Sequence, residues 1–160
     1  METRIGFGWD SHAFKAGIPL RIGGMTLDHP EGLAGHSDGD VALHAVADAL
    51  LGAASLGDLG RLFPAGPETP RGIDSGTLLD TVVRRLAEAG WRPASVDLTI
   101  VAARPRLAGH LDAMAAAISS AVQLPVGAVG VKASTGNLEG AEGGGRAISA
   151  LAIATIEPVR

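Results

Sequence analysis

Cysteine is missing from this chain of 160 residues, aromatics supply only 3% of it, and lysine occurs twice, as Lys15 and Lys132. Without thiols there are no disulfides, no thiolate metal ligands and no cysteine nucleophile, a composition that sits easily with a reducing cytoplasm. Any metal must be held by nitrogen and oxygen. No stretch approaches the roughly 18 uninterrupted apolar residues of a membrane helix, and Met1 to Ile5 lacks the charged start and apolar run of a signal peptide. A cytoplasmic protein with no membrane partner is therefore expected. The net charge of -4 argues against nucleic acid, which wants a basic face. Scarce aromatics leave Ala, Val, Leu and Ile to fill the core and favour an oligomer in which subunit contacts cover apolar surface. At 46% hydrophobic residues the chain suits one domain over residues 1–160 that buries its own core. Gly (23) and Pro (9) stay below the level of about 25 to 30% that marks low complexity.

What is present is a concentration of His and Asp in two places. Asp10-Ser11-His12 is answered some thirty residues later by residues 36–44, HSDGDVALH, in a chain with five histidines. Asp10 and His12 stand two apart, so on a strand both leave the same face and can grip one ion. His44 offers a third bond. Two imidazoles and a carboxylate suit zinc and leave the fourth tetrahedral position open for water or substrate. An Asp-x-His pair by itself is more often a turn or a solvated strand end. Ser37 followed by Asp40 resembles a capping box, with Asp38 the alternative N-cap, for a helix from about Gly39 to Ser55 that needs no metal. Asp40, His44 and Asp48 recur every four residues as a polar stripe on that otherwise Ala, Val and Leu helix. A surface helix shows such a stripe too. Because the rest of the helix reads as buried, the stripe points to a site, with Asp40 or Asp48 fixing the tautomer of His44.

Alternating α/β patterning runs through the remainder. Strands are expected at Arg4 to Trp9, Val96 to Ala102, Ala128 to Ala133 and Ala147 to Ile156, with a hairpin from Pro19 to Leu27 around Gly23-Gly24. Helices are expected at Thr77 to Ala89, capped by Asp74 or Ser75 and ended by Gly90, and at Leu107 to Val122. Leu56 to Gly72 is a loop long enough to act as a lid. The fold class is α/β (α+β), a small sheet with helices on one face.

Three further clusters carry possible chemistry. Residues 58–64, DLGRLFP, place an acid, a glycine and an aromatic at the mouth of the long loop; an ordinary helix-ending turn reads the same way. Residues 102–107, AARPRL, set two guanidiniums between a strand and a helix, which suits phosphate as well as it suits solvated surface charge. Residues 131–137, VKASTGN, lead into a Gly-rich segment that can form an anion nest without matching a P-loop or a dinucleotide fingerprint.

Taken together, residues 4–14 (RIGFGWDSHAF), 36–45 (HSDGDVALHA), 48–53 (DALLGA) and 57–64 (GDLGRLFP) closely resemble the 2-C-methyl-D-erythritol 2,4-cyclodiphosphate synthase family, and the likeness runs from residue 4 to the C-terminus. The resemblance implies a homotrimer with active sites between subunits, each subunit a mixed four-stranded sheet backed by helices. The implied reaction is the cyclisation of 4-diphosphocytidyl-2-C-methyl-D-erythritol 2-phosphate with release of CMP, in the non-mevalonate route to isoprenoids. Asp10, His12 and His44 would hold one Zn²⁺ per subunit, and a second divalent cation, Mg²⁺ or Mn²⁺, would bridge the diphosphate. His36 and Ser37 would contact the phosphates, with His36 and Thr135 in the transition-state-stabilising positions. Asp58, Gly60 and Phe63 match the segment around the methylerythritol portion. Ala102, Pro105, Arg106, Leu107 and Ala108, with Ala133, Ser134 and Thr135, match the cytidine pocket, where Lys132 or Arg106 would meet phosphate. The chain departs from the family where Asn137 replaces a metal-binding Glu, leaving Glu139 or phosphate oxygens and water to hold the second ion. Gly144 stands in place of an Arg, with Arg146 two residues on, and Ala65 stands in place of an acid. A zinc-dependent phosphohydrolase and a non-catalytic trimeric module binding an isoprenoid diphosphate remain the alternatives.

Overall fold

Alternation along the first strand sets the two sides of the molecule. In the computed structural model, which describes residues 2–159, β1 (Arg4–Ala16) turns Gly6, Gly8, Asp10 and His12 toward the helices and Ile5, Phe7 and Trp9 toward the opposite, exposed face. Pairing follows from β1 outward. β7 (Ala147–Pro158) lies antiparallel between β1 and β5 (Trp91–Val101), β6 (Val129–Ser134) adds parallel to β5, and β4 (Glu31–Leu33) adds antiparallel to the far end of β1. The order is β4-β1-β7-β5-β6, with β2 (Leu20–Ile22) and β3 (Met25–Leu27) as a separate hairpin.

The sheet is mixed but has five strands rather than the expected four. The additional one, Glu31-Gly32-Leu33, carries neither alternation nor β-branched residues. It exists because β1 continues to Ala16 instead of stopping at Trp9 and offers an open edge at Phe14–Ala16. Asp10 and His12 thus sit inside a strand, opposite Ala150 and Ile148 of β7.

Among the described residues five α-helices complete this α+β domain: α1 (Val41–Ala53), α2 (Leu59–Leu62), α3 (Ser75–Glu88), α4 (Leu111–Ala121) and α5 (Gly140–Gly143). Asp40 is the N-cap of α1, its carboxylate accepting from the Leu43 N–H, so neither Ser37 nor Asp38 caps the helix. Gly39, in the left-handed region at φ 79°, turns the chain immediately before it. Asp74 caps α3 through the Thr77 N–H at 3.0 Å, and the helix begins directly after it. Within the long loop Asp58 starts a helix, α2, rather than ending one. The core lies between α1, α3 and α4 and the helix-facing side of the sheet, where Leu98, Ile100, Ile148, Ala150, Ala152 and Ala154 are buried.

Two glycines decide how close α1 comes. A Cβ on Gly6 would stand 1.9 Å from the Ala49 carbonyl oxygen, and one on Gly8 would stand 2.0 Å from that of Ala45. Backbone rests on backbone, and nothing there can yield as a side chain would. Gly8→Ala should destabilise the chain by at least about 1 to 3 kcal/mol, since overpacking against main chain forces α1 off the sheet. Gly66→Ala, where a Cβ meets nothing within 4 Å, should stay within about 0.5 kcal/mol. Urea denaturation followed by circular dichroism reads both, and equal midpoints would refute the packing argument.

Candidate metal centre

Seating α1 on β1 brings the first turn of the helix over Asp10 and His12. That turn is fixed at its start. Asp40, 1% exposed, accepts from Gly23 N–H at 2.9 Å, Gly24 N–H at 2.7 Å and Leu43 N–H at 3.1 Å, tying the helix to the β2–β3 turn. His44 follows one turn later and meets the strand. Asp10 Oδ2 lies 2.8 Å from both His12 Nε2 and His44 Nδ1, and the two nitrogens are 3.3 Å apart. A tetrahedral zinc with ligand bonds of about 2.0 to 2.1 Å separates its donors by roughly 3.3 Å. These three donors therefore fit the ion after a slight outward movement, and their N, N, O chemistry suits it.

Neighbouring groups settle which ring nitrogen faces the centre. His12 Nδ1–H donates to the Ala34 carbonyl, which leaves Nε2 for a metal. His44 Nε2–H is directed at Ser37 Oγ (3.0 Å) and Ser75 Oγ (2.9 Å), which leaves Nδ1. Sequence reasoning expected Asp40 or Asp48 in this role, and neither has it. Asp40 is spent on the cap, and Asp48 accepts from the Leu59 N–H at 2.7 Å, holding the start of α2. Ser37 is among the expected site residues, though as a phosphate contact; Ser75 is not, because in sequence it reads only as part of a helix cap.

Electrostatics reinforce the cluster. Burial opposes ionisation of Asp10, but hydrogen bonds and charge from His12 and His44 outweigh it and hold the carboxyl well below the usual carboxylate range. Burial likewise opposes a charged His12, yet Asp10, the Ala34 carbonyl and the more distant Asp40 push its pKa up. Burial raises the pKa of Asp48, with the charges of Asp58 and Asp10 adding to it.

A cleft of about 240 Å³ opens over the triad and is also lined by His36, Ser37, Gly60 and Phe63. His36 Nε2–H donates to the Thr69 carbonyl at 2.8 Å, and the His36 carbonyl accepts from Gly72 N–H at 2.7 Å, so the long loop folds back onto this cleft. Asp58 does not line it; its carboxylate caps α2 and pairs with Arg61 at 3.1 Å. A second cleft, of about 380 Å³, is formed at the ends of β5 and β6 by Ala102, residues 105–108 and residues 133–135. Thr135 and His36 are thus in different clefts of one chain. Lys132 lines neither, being exposed and paired with Asp97. Asn137 occupies a left-handed turn (φ 55°), a conformation that Asn tolerates, and Glu139 is exposed beside it.

Zinc should raise the melting temperature of the chain, by an amount equivalent to about 4 kcal/mol at a thousand-fold excess over Kd. His44→Ala should abolish the rise, and a chelator should reverse it. Uptake must displace the proton that Asp10 favours on His12 Nε2, so the affinity should fall as the pH drops through the His12 pKa, which lies above its ordinary value. Thermal scans with and without zinc test this; a shift unchanged in His44→Ala would refute the triad as ligand set.

Known proteins resemble this chain across nearly its whole length. Residues 3–157 match the model of the YgbB family. The 2-C-methyl-D-erythritol 2,4-cyclodiphosphate synthase of Chromobacterium violaceum is 50% identical over 150 residues, covering 94% of this chain and 95% of that protein. Among solved structures, the bifunctional IspDF of Campylobacter jejuni superposes with a TM-score of 0.94 at 32% identity, over 99% of this chain and 43% of that longer one. A CDP complex of IspF from Plasmodium falciparum superposes with a TM-score of 0.85 at 26% identity, over 99% of this chain and 97% of that one. Matched by the family model over residues 3–157 and by relatives at 48 to 50% identity over nearly their whole length that are 2-C-methyl-D-erythritol 2,4-cyclodiphosphate synthases, this chain belongs to the YgbB family.

Proposed function

We infer that this chain is a phosphorus–oxygen lyase that cyclises 4-diphosphocytidyl-2-C-methyl-D-erythritol 2-phosphate to 2-C-methyl-D-erythritol 2,4-cyclodiphosphate and releases CMP, a step of the non-mevalonate isoprenoid route. The observation that carries this reading is the convergence of Asp10, His12 and His44 within one cleft that also holds His36 and Ser37. In the reaction an oxygen of the 2-phosphate attacks the β-phosphorus while the bond from that phosphorus to the bridging oxygen of CMP breaks. Nucleophile and electrophile belong to one molecule, so the enzyme's task is to fold it and to stabilise the charge that gathers on the β-phosphate. A zinc ion held by Asp10, His12 and His44 supplies a Lewis acid for that charge. His36, anchored through Nε2 on the Thr69 carbonyl, presents its other ring edge to phosphate, and Ser37 adds a hydroxyl. Gly60 and Phe63 form the wall against the methylerythritol portion, with Asp58 at its rim.

Residues 102, 105–108 and 133–135 form the cytidine pocket, in which backbone groups read the base and Arg106 meets phosphate. A homotrimer is the assembly that makes this geometry useful. Ile5, Phe7, Trp9 and Ile153 leave an apolar patch on the outer face of β1 and β7, the kind of surface that marks a protein–protein contact. Copies packed through that face would cover it and set the Thr135 cleft of one subunit against the metal cleft of the next. A second cation, magnesium or manganese, would rely on Glu139 or on phosphate oxygens and water, because the neutral oxygen of Asn137 binds such an ion weakly. The chain acts in the cytoplasm on a small molecule; no helix among the described residues is long and apolar enough to cross a membrane.

Incubated with the cytidylyl substrate, zinc and magnesium, the purified chain should release CMP and the cyclic diphosphate in equal amounts, as followed by phosphorus NMR. Inorganic phosphate in place of CMP would identify a phosphohydrolase instead. Thr135→Ala should lower kcat by about 10² to 10³ while leaving zinc affinity intact. Trp9→Asp should convert the trimer to smaller species in sedimentation, with activity lost in parallel; a variant active as a monomer would refute the intersubunit site.

A further inference from the structure

We propose that Asp38 and Ser75 are positioning residues for the metal, acting as a carboxylate–hydroxyl–imidazole relay that fixes the tautomer and the ring plane of His44. The inference rests on the zinc reading of Asp10, His12 and His44 and extends it outward by two residues.

The hydrogen-bond logic runs in one direction only. Asp38 accepts at both oxygens: Oδ2 from the Ser75 N–H at 3.1 Å, and Oδ1 from the Asp40 N–H at 3.1 Å and from the Ser75 hydroxyl. An ionised carboxylate has no proton to give, so Ser75 Oγ–H must be the donor. The Ser75 oxygen therefore offers a lone pair to His44 Nε2 at 2.9 Å, and that nitrogen must carry the proton. With its proton on Nε2, His44 has its lone pair on Nδ1, the atom 2.8 Å from Asp10 and 3.3 Å from His12 Nε2. Negative charge at the far end of the relay strengthens each bond along it and makes the imidazole a better ligand.

Ser37 Oγ also lies 3.0 Å from His44 Nε2, so the roles of the two serines must be separated. Ser37 lines the cleft and already accepts from the Gly39 N–H at 3.2 Å. Ser75 is 1% exposed, and its hydroxyl proton is committed to a carboxylate. It has no capping duty either, since Asp74 caps α3. A buried hydroxyl that neither caps its helix nor reaches the cleft, aimed at the outer nitrogen of a metal ligand, has orientation as its remaining use.

The test measures zinc binding to the full-length chain by competition with a chromophoric chelator, with no substrate present, so its outcome is independent of CMP release. Ser75→Ala should weaken zinc binding by about 10- to 100-fold, and Asp38→Asn, which touches none of the ligands, should do so by a similar factor. Ser37→Ala should cost less than either. Circular dichroism and urea midpoints of the metal-stripped variants confirm that they fold, and Ser75→Thr, which keeps the hydroxyl, should recover most of the affinity. In the zinc-loaded wild type, nitrogen-15 NMR should show a protected Nε2–H on His44 that exchanges rapidly in Ser75→Ala. Wild-type affinity in folded Ser75→Ala and Asp38→Asn would overturn the relay and leave the triad standing. A wild-type chain that takes up no zinc would overturn both.

Discussion

A helix can lay its own carbonyl oxygens on a strand only where the strand carries no Cβ. Gly6 and Gly8 meet that condition beneath Ala49 and Ala45, and the features that matter for chemistry in this chain follow from it. With side chains at those positions the helix would stand further off the sheet, and His44 would be drawn away from Asp10. The same strand then changes character along its length. Its first helix-facing positions are glycines that admit the helix, and its next two are Asp10 and His12, which meet the polar end of that helix. Two functions, packing and ligation, are thus written at a spacing of two on one strand face.

The helix answers with a spacing of four. Asp40, His44 and Asp48 lie along one stripe, yet each does different work: Asp40 pins the helix start to the β2–β3 turn, His44 joins the triad, and Asp48 holds the start of α2. Asp40 is the costly member. Burial raises its pKa despite the Gly24, Leu43 and Gly23 N–H groups that donate to it, with nearby Asp38 adding to the rise, so its ionised form is worse off in the fold than in water. What the carboxylate secures is position: three donors from two separate segments converge on it, and the first turn of α1 cannot rotate without breaking them.

Legibility in the sequence tracks how local the determining physics is. The triad was readable because its residue types and spacing carry the chemistry themselves, and α1 was readable because its apolar run is long. The strand β4 was not, since Glu31-Gly32-Leu33 has no strand preference of its own and pairs only because a distant segment presents an edge. The role of Asp40 is not legible because its partners, Gly23 and Gly24, are seventeen and sixteen residues away along the chain. Ser75 was hidden by a plausible alternative: an Asp-Ser pair before a helix already has an explanation as a cap, and only the fold shows that Asp74 uses it while Ser75 points elsewhere. Lys132 lies next to the anion cluster in sequence, and the two-residue alternation of β6 turns it away from Ala133 and pairs it with Asp97.

The long loop shows why these contacts belong to one design rather than several. Between Leu56 and Ser75 the chain has few apolar residues to bury, and such a segment would ordinarily sample many conformations. It is tied down at intervals, and each tie ends on an element that carries a ligand or borders the cleft. Asp48 holds Leu59, His36 holds Thr69 and Gly72, and Asp38 holds both Ile73, through its own N–H, and Ser75. Asp38 and His36 precede α1 directly and Asp48 lies within it, so the wall of the cleft and the ligand His44 share a common foundation. A displacement of α1 would therefore loosen the wall as it pulled His44 from the triad. Preorganisation of the reacting groups and enclosure of the substrate rest on the same backbone contact at Gly6 and Gly8.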